Sequence, residues 1–96
     1  MGISKKDVIH FIGIGGVGMS AIARILLKLG YKVSGSDLRE SVNTIRLKDL
    51  GAKIFYEQIS SNLRLAAVVV VSTAIRADNL ELQEAYNLNL KVFRRA

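Results

Sequence analysis

The sequence predicts an α/β fold, an open parallel sheet of about five strands with helices on both faces, because apolar runs alternate with amphipathic helical stretches as in successive βαβ units. The run AAVVVVS at residues 66–72 is rich in β-branched residues, as expected of a central strand covered on both faces. The first apolar run leads directly into a glycine-rich loop, in HFIGIGGVGMSA. At 96 residues, the chain is expected to form one domain, residues 1–96.

Two strand–helix units are predicted in the first half of the chain. The first helix follows from the helical spacing of Ile22, Ile25, Leu26 and Leu29, and Gly30 is placed to end it. The second helix closes on Gly51 in the same way. The predicted strands cover 8–13 and 31–37, and the predicted helices cover 17–29 and 42–50.

In the second half, strands are predicted at 52–56, 66–72 and 91–93, with one helical turn near 61–65. A helix is predicted within ADNLELQEAYNL, residues 77–88. Asp78 and Asn79 are its candidate caps, and Glu81 stands three residues after Asp78, in the register of a capping box. Since no closing helix follows the last strand, we expect the chain to be part of a longer protein.

Composition narrows the classes of function. The net charge is +6, but the basic residues are scattered, so the charge suits a small phosphate-bearing ligand better than nucleic acid. Arg94 and Arg95, at the chain end, are interpreted as a solvated tail. There is no Cys, which removes disulfides and thiolate metal sites, and no apolar run is long enough for a membrane span. We therefore expect a cytoplasmic protein with no metal site and no membrane partner.

The glycine loop is the strongest functional signal. Gly13, Gly15 and Gly18 form GxGxxG between a predicted strand and a helix, and Gly16 makes the loop barer still. The first glycine permits a tight turn, the second lets a phosphate approach the backbone, and the third lets the helix pack closely. The helix start then supplies N–H groups and positive partial charge for an anion. This pattern predicts a diphosphate nucleotide, although a tight turn without a ligand would also use glycines.

Asp37 adds to that prediction. It lies 37 − 18 = 19 residues after the last glycine of the motif, where an acidic residue commonly binds a ribose hydroxyl. An ordinary turn or cap residue is the alternative. Spacing alone does not choose between NAD, FAD and a UDP-sugar.

Two further features have less specific interpretations. Residues 72–75, STAI, follow the central strand and are placed to line the pocket where the strand order reverses, although a Ser-Thr pair after a strand is also common turn chemistry. His10, the single histidine, is predicted to be a structural residue of the first strand. Neither a general acid–base pair nor a nucleophile constellation emerges, so no catalytic residue is predicted.

The loop has a more specific resemblance. HFIGIGGVGMSAIARILLKLGYKVSGSD resembles the N-terminal segment of the Mur ligases of peptidoglycan synthesis, in particular those that join L-alanine to UDP-N-acetylmuramate. The resemblance continues through LGAKIFY, VVVVSTAIRADN and VFRRA, so that it spans nearly the whole chain. It departs at Leu80, where the family usually has Pro, and a Leu there leaves the helix cap intact.

The resemblance implies a three-domain ligase of which this chain is the first, Rossmann-like domain, binding the UDP part of UDP-N-acetylmuramate. The ATP-binding loop GxxxxGK[ST] does not occur in these residues, so ATP and magnesium would belong to a central domain. The fragment alone is then expected to bind substrate without catalysing a reaction. Implied contacts are to the diphosphate from Gly13, Gly15, Gly16, Val17, Gly18, Met19 and Ser20, to the uridine from Ser36 and Asp37, and across the cleft from Ser72, Thr73, Ala74 and Ile75.

Two other hypotheses remain open. One is an NAD(P)- or FAD-binding Rossmann domain of an oxidoreductase or of a nucleotide-sensing regulator, which shares GxGxxG and the acidic residue. The other is a basic interaction module, a hypothesis that does not explain the glycine-rich loop.

Overall fold

A five-stranded parallel sheet organises the residues that the computed structural model describes, which are 3–95. Its strand order is β3-β2-β1-β4-β5, and each strand is parallel to its neighbours. This confirms the predicted fold class. The elements in chain order are β1 (Val8–Ile12), α1 (Val17–Lys28), β2 (Lys32–Ser36), α2 (Val42–Asp49), β3 (Lys53–Phe55), a 3-10 helix (Ser60–Leu63), β4 (Ala66–Ser72), α3 (Leu80–Asn87) and β5 (Lys91–Arg95).

Helices cover both faces of the sheet, as predicted. Along β1, Ile9 and Phe11 point into the core shared with α1 and α2, whereas Ile12 points into a second core with α3. The first core also contains Met19 and Ala23 of α1, Leu47 of α2 and Val33 of β2. The second contains Leu63, Val69, Val71, Leu82 and Ala85.

The last strand, β5, is longer than predicted. β5 continues to Arg95 because Arg94 pairs with Val71 and Arg95 with Ser72 of β4. The interpretation of the two arginines as a solvated tail is therefore wrong for the backbone, although both side chains are exposed. Arg95 consequently stands at the carboxyl edge of the sheet, level with the end of β4.

Glu81 also departs from its predicted role. The cap of α3 is Asn79, whose side-chain oxygen accepts from the N–H groups of Glu81 and Leu82, so the capping box based on Asp78 is wrong. The Glu81 side chain instead turns inwards and is fully buried. There it accepts hydrogen bonds from polar groups on the α3 side of the sheet, and no local sequence pattern predicts this role.

A buried polar network surrounds that carboxylate. His10 Nε2 and the Ser36 hydroxyl both donate to Oε1 of Glu81 at 2.7 Å, and the Asn62 amide donates to Oε2 at 2.7 Å. The other ring nitrogen of His10 lies 2.7 Å from the Ser34 hydroxyl. Among the described residues, every buried side-chain nitrogen or oxygen has a hydrogen-bond partner. The prediction of a structural histidine is thus confirmed.

The strand order determines where a ligand can bind. β2 and β4 flank β1 on opposite sides, so the chain direction across the sheet reverses between β1 and β4. In open parallel sheets, the connections leaving the carboxyl ends of two such strands separate and leave a crevice. The crevice here lies between the loop at residues 13–16 and the turn at residues 72–75.

Candidate nucleotide-binding site

The glycine loop is hydrogen-bonded to the end of β2. The N–H groups of Gly13 and Ile14 both donate to the carbonyl of Ser36, at 2.9 Å each. Gly13 has φ +85°, which side-chain-bearing residues rarely adopt, so the predicted need for glycine at the tight turn is confirmed. The loop therefore leaves β1 along a path determined by the neighbouring strand.

The peptide groups of Gly15 are held from both sides. Its N–H donates to Oδ2 of Asp37 at 2.9 Å, and its carbonyl accepts from the Asn43 amide on α2 at 3.0 Å. A Cβ built on Gly15 would lie 2.8 Å from Asp37 Oδ2 and 3.2 Å from Thr44 Cγ2. The space beside the Gly15 Cα is thus occupied by Asp37 and α2, so a contact within the protein by itself requires glycine at this position.

The loop retains few N–H groups for a ligand, and they lie further along than the motif suggests. The N–H of Gly16 donates to the Gly13 carbonyl at 3.2 Å, so the N–H groups of residues 13–16 all bind protein acceptors. The N–H groups of Val17, Gly18 and Met19 belong to the first turn of α1, where the helix itself supplies no acceptor. This turn has no side-chain cap and no acidic residue. An anion is therefore best placed against residues 17–19.

Gly18 is covered by a side chain from the far end of the sheet. A Cβ on Gly18 would lie 2.6 Å from Nε of Arg95 and would also overlap Cζ and Nη2 of that guanidinium. The nearest neighbour of Gly18 is therefore the side chain of Arg95, the last residue of β5. The structure thus places a cation beside the first turn of α1.

The turn at residues 72–75 forms the other wall of the crevice. The Ser72 hydroxyl accepts from the Ala74 N–H at 3.2 Å, and the Ser72 carbonyl accepts from the Ile75 N–H at 3.1 Å, which is the turn chemistry foreseen as an alternative. A Cβ on Gly13 would lie 3.5 Å from both Ser72 Cβ and Ile75 Cδ1. The two walls therefore meet at Gly13, and Thr73 and Ala74 are exposed above them.

Some predicted site residues do not present their side chains to the crevice. The Ser36 side chain is fully buried with its hydroxyl on Glu81, and the Met19 side chain lies in the core. The Ser20 hydroxyl donates to the Val17 carbonyl at 3.1 Å. Val17, by contrast, is 85% exposed at the start of α1. Ser36 and Met19 can contribute to a site here only through their backbone groups.

Two cavities lie outside the crevice. One of about 720 Å³ is lined by residues at the starts of β1–β4, including Val8, Lys32, Lys53 and Ala66, and is therefore at the opposite edge of the sheet. The other, of about 260 Å³, is a groove between α1 and α2 with Arg24, Asn43 and Arg46 in its lining. Backbone N–H groups at a helix start hold phosphate without a deep cavity, so the crevice remains the candidate site.

Comparison with known proteins identifies the family of this chain. A family profile described as "Mur ligase family, catalytic domain" matches residues 8–96. The chain belongs to the Mur ligase family. The resemblance based on GIGGVGMS, GSD and STAI is thus confirmed. In the other described parts of the molecule, as in the crevice, no group of three or more His, Cys, Asp or Glu side chains is placed to hold a metal ion.

Among curated relatives, the chain is 51% identical over 94 residues to the UDP-N-acetylmuramate–L-alanine ligase of Wigglesworthia glossinidia brevipalpis. This alignment covers 98% of the chain and 20% of that protein. It is 59% identical over 88 residues to the ligase of the same name from Parvibaculum lavamentivorans, covering 92% of this chain and 18% of that protein. The chain therefore spans about a fifth of the length of these Mur ligase relatives.

Solved structures show the same fold. The UDP-N-acetylmuramate-alanine ligase of Thermotoga maritima superposes with a TM-score of 0.86 at 37% identity, over 91% of this chain and 20% of that one. The UDP-N-acetylmuramate:L-alanyl-gamma-D-glutamyl-meso-diaminopimelate ligase of Neisseria meningitides superposes with a TM-score of 0.83 at 27% identity, over 92% of this chain and 28% of that one. Within the described part of this Mur ligase chain, no helix is long and apolar enough to cross a membrane.

Two residues that contact the glycine loop or the start of α1, Asn43 and Arg95, are not among those predicted from the sequence. Asn43 lies in an ordinary amphipathic helix and reaches the loop only because α2 packs beside it. Arg95 is brought to Gly18 by the pairing of β5 with β4. Both contacts join distant parts of the chain, and no motif spacing signals them.

Proposed function

We propose that this chain binds the UDP part of UDP-N-acetylmuramate, as the N-terminal substrate-binding domain of a UDP-N-acetylmuramate–L-alanine ligase. The proposal rests chiefly on the uncapped first turn of α1, whose N–H groups open onto the crevice between β1 and β4. The names of the relatives at 51% and 59% identity support the choice of nucleotide. The higher identity to the alanine ligase structure, 37% against 27%, favours L-alanine over a peptide as the second substrate.

In this proposal, the N–H groups of Val17, Gly18 and Met19 hold the diphosphate, because an anion at these groups is stabilised by hydrogen bonds and by the helix dipole. Asp37 serves two purposes. Its Oδ2 accepts from the Gly15 N–H, and its Oδ1, which accepts from the backbone N–H of Arg39 at 3.4 Å, would also accept from a ribose hydroxyl. Residues 72–75 close the opposite side of the uridine, and Ser36 acts through the carbonyl that holds the loop.

The chain's contribution to the reaction is then positional. In the whole enzyme, ATP phosphorylates the muramate carboxylate and the amine of L-alanine displaces the phosphate, with ATP and magnesium held by a central domain. Anchoring the uridine end restricts where the distant carboxylate can lie, which lowers the entropic cost of bringing the reactants together. The catalytic groups would be supplied by the other domains.

Thermal unfolding with different ligands tests the proposal. A ligand at 100 times its dissociation constant adds about 2.7 kcal/mol to the free energy of unfolding, which raises the Tm of a domain of this size by roughly 10 °C or more. We expect such a rise with UDP-N-acetylmuramate and with UDP. NAD and FAD, the ligands of the alternative Rossmann hypothesis, should give none. A rise with NAD or FAD alone, or no rise with saturating UDP-N-acetylmuramate, would contradict the proposal.

A further inference from the structure

We infer that the cavity of about 720 Å³ at the starts of β1–β4 is a second binding site, for a small organic anion with an apolar body. The cavity is at the edge of the sheet opposite to the nucleotide crevice, so this site is additional to the proposed UDP site and does not depend on it. Small-molecule sites usually have volumes of about 300 to 1,000 Å³. The cavity is therefore large enough for a ligand of several rings.

The floor of the cavity is formed by one face of the sheet. Val33 of β2 and Ile54 of β3 face the core shared with α1 and α2, so their neighbours Ser34 and Phe55 face the other side of the sheet. On that other side, Leu82 of α3 packs in the core that contains parts of β1 and β4. The same side of β2 and β3 instead faces the cavity, through Ser34 and Phe55.

The less exposed part of the cavity lining is suited to an apolar group. Val8, Phe55 and Ala66 are half-buried apolar residues from three different strands. The two polar side chains beside them, Ser34 and Asn62, already hydrogen-bond to His10 and Glu81 of the buried network, at 2.7 Å each. A ligand can therefore bury apolar surface against this floor without leaving those polar groups unpaired.

Three exposed cations surround this floor. Lys32, Lys53 and Arg64 line the cavity, and no acidic residue does so among the described residues. Within the same part of the chain, none of the three forms a salt bridge. The Lys53 ammonium lies 5.6 Å from the centre of the Phe55 ring, so one of the cations stands directly beside the apolar floor. An anionic group on the ligand would be attracted by all three cations, whereas a cationic group would be repelled.

Lys91 offers a matched control for the two lysines. Like Lys32 and Lys53, it is exposed and is the first residue of a strand. Its strand, β5, is separated from β2 by β1 and β4, which places Lys91 about 14 Å from the start of β2 at about 4.8 Å per strand. Salt screens exposed charges over about 8 to 10 Å. Replacing any of these lysines by Gln removes the same charge, so a difference between the variants reports position.

The experiment titrates the ¹⁵N-labelled chain with naphthylacetate, and with naphthylacetamide as an uncharged analogue that has the same ring system. We expect naphthylacetate to shift the amide signals of Ser34, Lys53 and Ala66, and to bind about tenfold more tightly than the amide because three exposed cations each contribute a little. Lys32→Gln and Lys53→Gln should each weaken binding of naphthylacetate about two- to fivefold, as expected for the loss of one exposed ion pair. Lys91→Gln should leave it unchanged, and naphthylacetamide should bind all variants alike.

Four results would overturn the inference. They are the absence of shifts up to the solubility limit of naphthylacetate, shifts centred outside the cavity, equal affinities for the acid and the amide, and equal effects of the three lysine replacements. Two-dimensional spectra record the fold of each variant, and either Lys32→Gln or Lys53→Gln decides the matter if the other does not fold. None of these results bears on UDP binding, so the proposed function is tested separately.

Discussion

Gly15 determines the shape of the loop through its contacts with the protein. Its N–H and carbonyl are held by Asp37 and Asn43, which lie on two different elements, and its missing side chain leaves room for the Asp37 carboxylate. Gly16, the next residue, is exposed, and a Cβ there would make only ordinary van der Waals contacts, the nearest at 3.5 Å to the Gly13 carbonyl oxygen. Adjacent glycines of one motif therefore have different structural requirements.

Substitution by alanine should separate these two glycines. We expect Gly15→Ala to lower the free energy of unfolding by about 1 to 3 kcal/mol, because its methyl group forces Asp37 and the start of α2 apart. Gly16→Ala is the matched control, since its φ of −62° is one that alanine adopts readily. Urea unfolding of both variants measures the difference. Equal stabilities would mean that the contact between Gly15 and Asp37 does not constrain the loop.

At the scale of elements, α3 is joined to the sheet by a carboxylate. Glu81 accepts from His10 on β1, Ser36 on β2 and Asn62 on the 3-10 helix, so three elements share one buried acceptor group. The backbone of Ser36 in turn holds the glycine loop. Ser36 therefore contributes to two contacts, the packing of α3 against the sheet through its side chain and the position of the glycine loop through its carbonyl.

Glu81→Gln should weaken this junction although it preserves the side-chain volume. Gln replaces one acceptor oxygen by an amide group that can only donate, so at least one of the three donors loses its acceptor. We expect a loss of about 1 to 3 kcal/mol in the free energy of unfolding, the usual effect of an unsatisfied buried polar group. Glu84→Gln on the same helix serves as the control, because Glu84 is outside the network. If chemical unfolding gives Glu81→Gln and Glu84→Gln the same free energy of unfolding as the unaltered chain, the buried network does not stabilise the packing of α3.

The start of α1 also allows a prediction about charge. Val17 is the first residue of α1 and 85% exposed, so Val17→Asp should leave the fold intact while placing a carboxylate at the proposed anion site. We expect UDP binding about tenfold weaker or worse at low salt, because like charges a few ångströms apart repel by about 1 to 4 kcal/mol.

Leu80→Asp gives the matching control for that variant. Leu80 is the first residue of α3 and 56% exposed, and the N–H groups behind it are already capped by Asn79. The same charge at the same helical position should leave UDP affinity within about twofold of the original, given screening over about 8 to 10 Å at ordinary ionic strength. Calorimetric titration of both variants checks the pair, and an unaffected Val17→Asp would place the phosphate elsewhere.

For the molecule as a whole, hydrophobic periodicity and local sequence patterns are enough to predict most of the fold. The helical spacing of Ile22, Leu26 and their neighbours and the β-branched run at 66–72 suffice to predict alternating strands and helices, and hence a parallel sheet. The contacts of Glu81, Asn43 and Arg95 could not be predicted in this way. Each joins residues from distant parts of the chain, and which side chains meet there depends on how the elements pack. The capping-box pattern misplaced Glu81 because a buried network outside α3 competes for its carboxylate.

An NMR titration of the ¹⁵N-labelled chain with UDP shows whether UDP binds at the first turn of α1. We expect the amide signals of Val17, Gly18 and Met19 to shift most, the signals of residues 72–75 to shift with them, and uridine to leave the signals of the first turn nearly unchanged. Lys32, Lys53 and Ala66, which line the cavity at the opposite edge, should not respond. Shifts centred on that opposite edge, or equal effects of UDP and uridine on residues 17–19, would contradict binding of the phosphates at the first turn of α1.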